Sequence, residues 1–209
     1  MGIFDVENEF ILKCDSSRIA KLIAHWTLFK NTNDIPGKIV ECGVFKGNCL
    51  MQMGMFKQIT NDTRELIGFD VFGKYPSDIN KEDKELVDVF ISNSGGVSNS
   101  KEELQKLFDC KGIEVELVVG DICNTVPEYV KKHPELRISL LHVDVDLYEP
   151  SITSLKYLYP LVTKGGIIIL DDYSYFPGET RAIDEYFDRM NIRLKKFSES
   201  KTPSYFIKR

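Results

Sequence analysis

No stretch of this 209-residue chain approaches the ~20 consecutive apolar residues of a membrane-spanning helix. The amino terminus, Met1-Gly-Ile-Phe-Asp-Val-Glu-Asn-Glu9, lacks a basic segment followed by an apolar core, so no secretory leader is expected and the chain is read as cytoplasmic. Positive charge is not in excess either. Lys and Arg total 27 against 32 Asp and Glu, for a net charge of −5, and the basic residues are scattered. Nucleic acid is therefore not the expected partner, and a small ligand fits better. The five cysteines, Cys14, Cys42, Cys49, Cys110 and Cys123, are odd in number and never spaced C-x-x-C. That pattern argues against a disulfide framework and for reduced residues inside the core. With no internal repeat, low-complexity tract or linker, the reading is one domain over 1–209; a homo-oligomer is compatible with it.

What the chain does have is acid at the ends of apolar runs. Ile138-Ser-Leu-Leu-His-Val-Asp-Val-Asp-Leu-Tyr148 and Gly165-Gly-Ile-Ile-Ile-Leu-Asp-Asp-Tyr173 are of strand length, and each runs into paired aspartates. Ligands of open parallel α/β sheets gather at the carboxyl ends of strands, so Asp144, Asp146, Asp171 and Asp172 would meet in one small volume. Carboxylates that close repel one another unless a shared proton or a cation relieves them, which suggests a hard divalent metal. Asp146 would share the face of Asp144 in an extended chain, as part of the cluster or as a structural group. His142, two residues before Asp144, would face the same way, as a proton shuttle or as a hydrogen-bonded structural histidine. His25 and His133 carry no comparable signal.

Apolar residues from Ile19 to Phe29 recur at helical spacing after the capping cluster Asp15-Ser-Ser17, giving an N-terminal helical region over 15–36. Strands follow at Lys38–Gly43, Glu65–Asp70 and Ile113–Val119, the last ending at Asp121, and then come the two aspartate-tipped runs. Helical patterns separate them, with Pro150 expected at the first helical position. Alternation of this kind implies a doubly wound, mostly parallel sheet in an α/β fold. Arg193–Phe197 and Ser204–Lys208 read as a closing hairpin that brings in an antiparallel strand. Residues 73–112, polar and punctuated by Pro76, Gly95 and Gly96, stand at the ligand end as a lid or as a plain surface insertion.

Glu41-Cys-Gly-Val-Phe-Lys-Gly47 is a strand-turn-helix passage in which Gly43 permits a tight turn and Gly47 opens a helix. A turn with no ligand would read alike, and the third glycine of the dinucleotide fingerprint is missing. Asp70, at the end of the next strand, stands where an acid takes ribose hydroxyls, or is a solvated strand end.

Four segments together, Glu41–Gly47, Phe69-Asp-Val-Phe-Gly-Lys-Tyr-Pro76, His142-Val-Asp-Val-Asp-Leu-Tyr148 and Gly165–Tyr173, resemble the class I S-adenosylmethionine-dependent methyltransferases. More closely they resemble the macrocin and mycinamicin sugar O-methyltransferases, from about residue 15 to the end. The resemblance implies a Rossmann-like fold and methyl transfer from S-adenosylmethionine to a hydroxyl of a small-molecule or saccharide acceptor. It implies that Glu41, Gly43 and Gly47 contact the methionine part of the cofactor, Asp70 the ribose and Asp121 the adenine. Asp144, Asp171 and Asp172 match its metal ligands, with magnesium as the ion, and Asp144, then His142, are the candidates for the base. The chain departs from the family after Tyr173, where Ser174-Tyr-Phe-Pro-Gly178 lacks the histidine often found there. Two rivals stand beside this reading, a nicotinamide-dependent oxidoreductase and a non-catalytic binding module.

Overall fold

The computed structural model describes residues 2–77 and 79–209. Seven strands, β1 (Lys38–Cys42), β2 (Leu66–Asp70), β3 (Glu116–Val119), β4 (Ile138–Val143), β5 (Val162–Leu170), β6 (Lys195–Lys196) and β7 (Ser204–Ile207), form one sheet in the order β3-β2-β1-β4-β5-β7-β6. The first five are parallel, and β7 lies antiparallel to both β5 and β6. This is the single Rossmann-like sheet with a closing antiparallel hairpin that the alternating pattern predicts.

Helices α1 (Ile3–Lys13), α2 (Ser16–Lys30), α3 (Asn48–Thr60), α4 (Lys84–Ser94), α5 (Lys101–Cys110), α6 (Ile122–Lys132), α7 (Tyr148–Leu158) and α8 (Pro177–Phe187) complete the chain. Because both faces of the central strands are covered, β1 from Ile39, β4 throughout and β5 from Gly166 are buried continuously rather than in alternation. On one face Leu28 and Phe29 of α2, Leu50 and Met53 of α3, and Leu104 and Phe108 of α5 pack on Ile39, Leu140, Ile167 and Ile169. On the other, Val126 of α6, Leu155 of α7 and Ile183 and Phe187 of α8 pack on Val40, Leu141, Val143 and Ile168. Each fully buried Leu or Phe contributes roughly 1.5–3 kcal/mol, so the two layers hold the strand ends in fixed register. Among the described residues no helix is long and apolar enough to cross a membrane.

Several local expectations change. The third strand begins at Glu116, since Ile113 instead plugs the exit of α5 against Phe108. Pro150 occupies the third helical position of α7, whose cap is Leu147. Helix α1, unforeseen from the pattern, buries none of its residues. The segment 73–112 divides: α5 carries a Ser100/Glu103 capping box and sends Leu104 and Phe108 into the core, so 101–110 belongs to the packed layer.

Candidate active site

The order β3-β2-β1-β4-β5 reverses between β1 and β4, and the crevice at their carboxyl ends is where such sheets take ligands. Gly43 leaves β1 there with φ +87°, and a Cβ on it would collide with the carbonyl oxygen of Asp144 leaving β4. The glycine is thus required by one strand end pressing on the next. Gly47, φ +83°, caps α3 with no room for a side chain, since a Cβ would stand 2.5 Å from Leu104 Cδ2. Asp70 is buried, not a solvated strand end. Its Oδ2 accepts from the backbone N–H groups of Val44 and Phe45 and its Oδ1 from that of Phe72, all at 2.8 Å, so this carboxylate shapes the glycine turn. Asp121 is exposed and caps α6, accepting from Cys123 N at 2.9 Å and Asn124 Nδ2 at 3.0 Å.

Asp144, Asp171 and Asp172 each offer a carboxylate oxygen within 4.8 Å of the others. Burial and then the charges of Asp171 and Asp172 raise the Asp144 carboxyl well above its ordinary range, and burial, Asp146 and Asp171 do the same to Asp172. Asp171 goes the other way. Burial alone would raise it, but a hydrogen bond from His142, the nearby ring of His25 and the charge of Lys21 hold it well below the usual carboxylate range. Lys21, from α2, donates to Asp171 Oδ2. Asp146 does not continue the strand as an extended residue would. Strand β4 ends at Val143, and Asp146 is left-handed with φ +61°, which turns its carboxylate toward Tyr75, whose hydroxyl donates to Oδ2 at 2.9 Å. Burial pushes the Asp146 carboxyl up to about 7. The fully buried Glu179 of α8 ties the two exits together, accepting from Asp172 N at 3.1 Å and Val145 N at 3.4 Å.

Behind the aspartates lies a second polar layer. Glu41 of β1 and His142 of β4 are cross-strand partners in register, both buried, with Glu41 Oε1 at 3.2 Å from His142 Nδ1 and His142 Nε2 at 3.3 Å from Asp171 Oδ1. Cys49 of α3 stands 3.3 Å from His142 Nδ1 and 3.6 Å from His25 Nδ1 of α2. Burial opposes ionisation of the Cys49 thiol, but the two imidazoles bring it down to about 6. Glu41, pushed up to about 8 by burial, keeps Oε2 without a partner among the described residues. The structure therefore sets His142 beneath the carboxylates rather than at the mouth.

Sequence reasoning passed over Lys21, His25, Cys49, Tyr75 and Glu179. Lys21 and His25 are four apart on one helix and so share a face, a signal that was available. Cys49 and Glu179 gave none, because their roles depend on which strands lie beneath their helices.

Residues on either side of position 78, between 73 and 100, contact the site and its surroundings. Tyr75 reaches Asp146, Asp83 Oδ1 accepts from Gly178 N at 2.8 Å, and Val87 packs with Leu147 and Phe176. Lys46, in the glycine turn, donates to Ser94 O at 2.8 Å.

Comparison with known proteins places this geometry. The family described as macrocin O-methyltransferase (TylF) matches residues 16–206. The demethyldecarbamoylnovobiocin O-methyltransferase of Streptomyces niveus is 29% identical over 77% of this chain and 62% of its own length. The mycinamicin III 3''-O-methyltransferase of Micromonospora griseorubida is 28% identical over 76% of this chain and 63% of its own. The chain thus spans a little over six-tenths of the length of these relatives. Among solved structures, a calicheamicin methyltransferase superposes with a TM-score of 0.82 at 25% identity, covering 99% of this chain and 86% of that one.

Proposed function

The chain belongs to the macrocin O-methyltransferase family, and from that premise we propose that it transfers a methyl group from S-adenosylmethionine to a hydroxyl of a small-molecule acceptor, most simply on a sugar. The observation that carries this reading is the crevice between β1 and β4, where a glycine turn braced by Asp70 meets three carboxylates within 4.8 Å. The named activities of the two curated relatives, both O-methyltransferases, support the same class.

The residues fit the cofactor as follows. Oδ1 of Asp70 accepts one backbone N–H and has capacity for a second hydrogen bond, suited to a ribose hydroxyl. Gly43 and Gly47 hold the turn close under it, and Asp121 at the cap of α6 stands on the next strand exit for the adenine amino group. Glu41 Oε2, a buried acceptor without a partner, suits the cationic amino group of the methionine part. The cofactor supplies an electrophilic methyl on a sulfonium.

Asp144, Asp171 and Asp172 fit a hard divalent cation such as magnesium, being oxygen donors only and bearing more negative charge than Lys21 neutralises. The ion, when bound, would lower the pKa of an acceptor hydroxyl and orient it. Of the acids at the mouth, Asp146 lies outside that trio, held by Tyr75 and hydrogen-bonded to Asp172, and is the group proposed to take the hydroxyl proton. Asp144, first in the sequence reading, would help to hold the cation, and His142 orients Asp171 from below. Tyr75 and the rest of 73–100 exclude water from the crevice.

Calorimetry with S-adenosylhomocysteine and with NADH separates this reading from the oxidoreductase. Binding of NADH alone would overturn it. Mass spectrometry of glycosylated acceptors incubated with the enzyme and S-adenosylmethionine then reads the methyl gain. Asp171→Asn or excess EDTA should abolish that gain while homocysteine-adduct affinity stays within a few fold.

A further inference from the structure

We propose that His25, Cys49 and His142 form a buried site for a thiophilic divalent metal, zinc by preference, separate from the aspartates at the mouth of the sheet. The three residues come from α2, α3 and β4, their donor atoms lie within 4.8 Å of one another, and all three are buried.

The spacing fits a coordination sphere as well as a hydrogen-bonded chain. With zinc–sulfur and zinc–nitrogen bonds of about 2.3 and 2.0–2.1 Å, sulfur and nitrogen on neighbouring corners of a tetrahedron stand ~3.5 Å apart. Cys49 Sγ lies 3.3 Å from His142 Nδ1 and 3.6 Å from His25 Nδ1. Oxygens flank the fourth corner: Glu41 Oε1 is 3.2 Å from His142 Nδ1, and Gln52 Oε1 is 3.1 Å from His25 Nδ1. Use of Glu41 Oε1 here leaves Oε2 for the cofactor.

The far sides of the two rings carry an independent mark. His142 Nε2 is 3.3 Å and His25 Nε2 3.7 Å from the same oxygen, Asp171 Oδ1. A carboxylate that faces the outer nitrogen of a metal-binding histidine fixes its tautomer and makes the inner nitrogen a better ligand. Here one carboxylate faces both rings, which sets both inner lone pairs toward Cys49. Without a metal the buried His25 Nε2 has no hydrogen-bond partner among the described residues. Thiolate with imidazole selects zinc over magnesium, whereas the all-oxygen trio selects the reverse. Burial leaves no open corner for substrate, so the ion would be structural, bolting α2 and α3 to β4 and aiming Asp171 from behind. Binding requires the Cys49 thiolate, so affinity should weaken as pH is lowered.

The test uses the full chain produced with zinc, and again with cobalt(II) in its place. After dialysis against EDTA about one zinc per chain should remain, and the cobalt form should show thiolate-to-cobalt charge-transfer absorption with strong tetrahedral visible bands. Both should disappear in Cys49→Ser and in His25→Gln, and both should persist in Asp172→Asn, which touches only the aspartates. A folded wild-type protein, by circular dichroism, that retains no zinc and gives no thiolate–cobalt band would overturn the site, as would bands that survive Cys49→Ser.

Discussion

Lys21 on α2 and Asp171 at the exit of β5, 150 residues apart in sequence, form a part-buried ion pair at the edge of the aspartate cluster. Burial alone would lower the lysine, yet Asp171, Asp144 and Asp172 hold its ammonium well above the ordinary range. The lysine is an internal counter-ion for the carboxylates, which gives it a measurable relation to any added cation.

Lys21→Met removes that counter-ion. The variant should unfold at lower temperature in EDTA, because three acids are left to repel one another, and magnesium should restore more stability to it than to wild type. Removal of one like charge should also tighten magnesium binding by roughly tenfold, about 1.4 kcal/mol. Thermal melts across a magnesium titration check this. Equal magnesium responses in the two proteins would place the ion elsewhere.

At the glycine turn two substitutions should part company. Gly43→Ala forces a side chain onto the Asp144 carbonyl at positive φ, so it should cost at least ~2 kcal/mol of folding stability before any ligand is added. Asp70→Asn keeps the shape but turns an amide hydrogen toward one of three backbone donors, costing ~1–3 kcal/mol, and should weaken S-adenosylhomocysteine binding as well. Urea unfolding and calorimetry on the same samples separate the two effects. Full stability of Gly43→Ala would contradict the strand-to-strand contact.

Residues 73–100 should close more tightly when the crevice is filled. Hydrogen exchange there should slow with S-adenosylhomocysteine and magnesium present, while α5, whose Leu104 and Phe108 are buried, should exchange slowly in both states. Tyr75→Phe should lower kcat severalfold and leave cofactor affinity nearly unchanged, since its hydroxyl touches Asp146 and not the glycine turn. No change in exchange would remove the lid from the mechanism.

A purely structural prediction concerns Arg64, which bonds Asp62 at 2.8 Å, Thr32 O at 2.9 Å and Ser139 Oγ at 2.9 Å. Burial raises the Asp62 carboxyl, but hydrogen bonds and charge from Arg64 win and hold it below its ordinary value. A depressed folded pKa stabilises the fold above the unfolded value near 4 and loses that contribution as pH falls through the folded value. Arg64→Gln should therefore cost ~3–5 kcal/mol at pH 7, and the gap to wild type should narrow below about pH 4. Denaturant midpoints at the two pH values decide it.

The primary sequence determined the strands and the ends that matter, because local chemistry writes them plainly. Apolar runs that stop at Asp70, Asp144 and Asp171, and glycines at 43 and 47, need only neighbouring residues to be legible. Tertiary structure alone decided what those groups face. Gly43 is glycine because of a carbonyl 101 positions away in the chain, Asp70 spends its oxygens on the turn, and Asp146 leaves the face that simple alternation gives it once β4 stops at Val143. Cys49 and Glu179 were illegible for the same reason, and the spacing of Lys21 and His25 gave them a shared face but not what that face meets. A lysine, a histidine, a cysteine or a glutamate on a helix has the same local pattern whether it meets solvent or a buried acid, and only the packing of α2, α3 and α8 over the sheet, driven by their apolar neighbours, chose the acid.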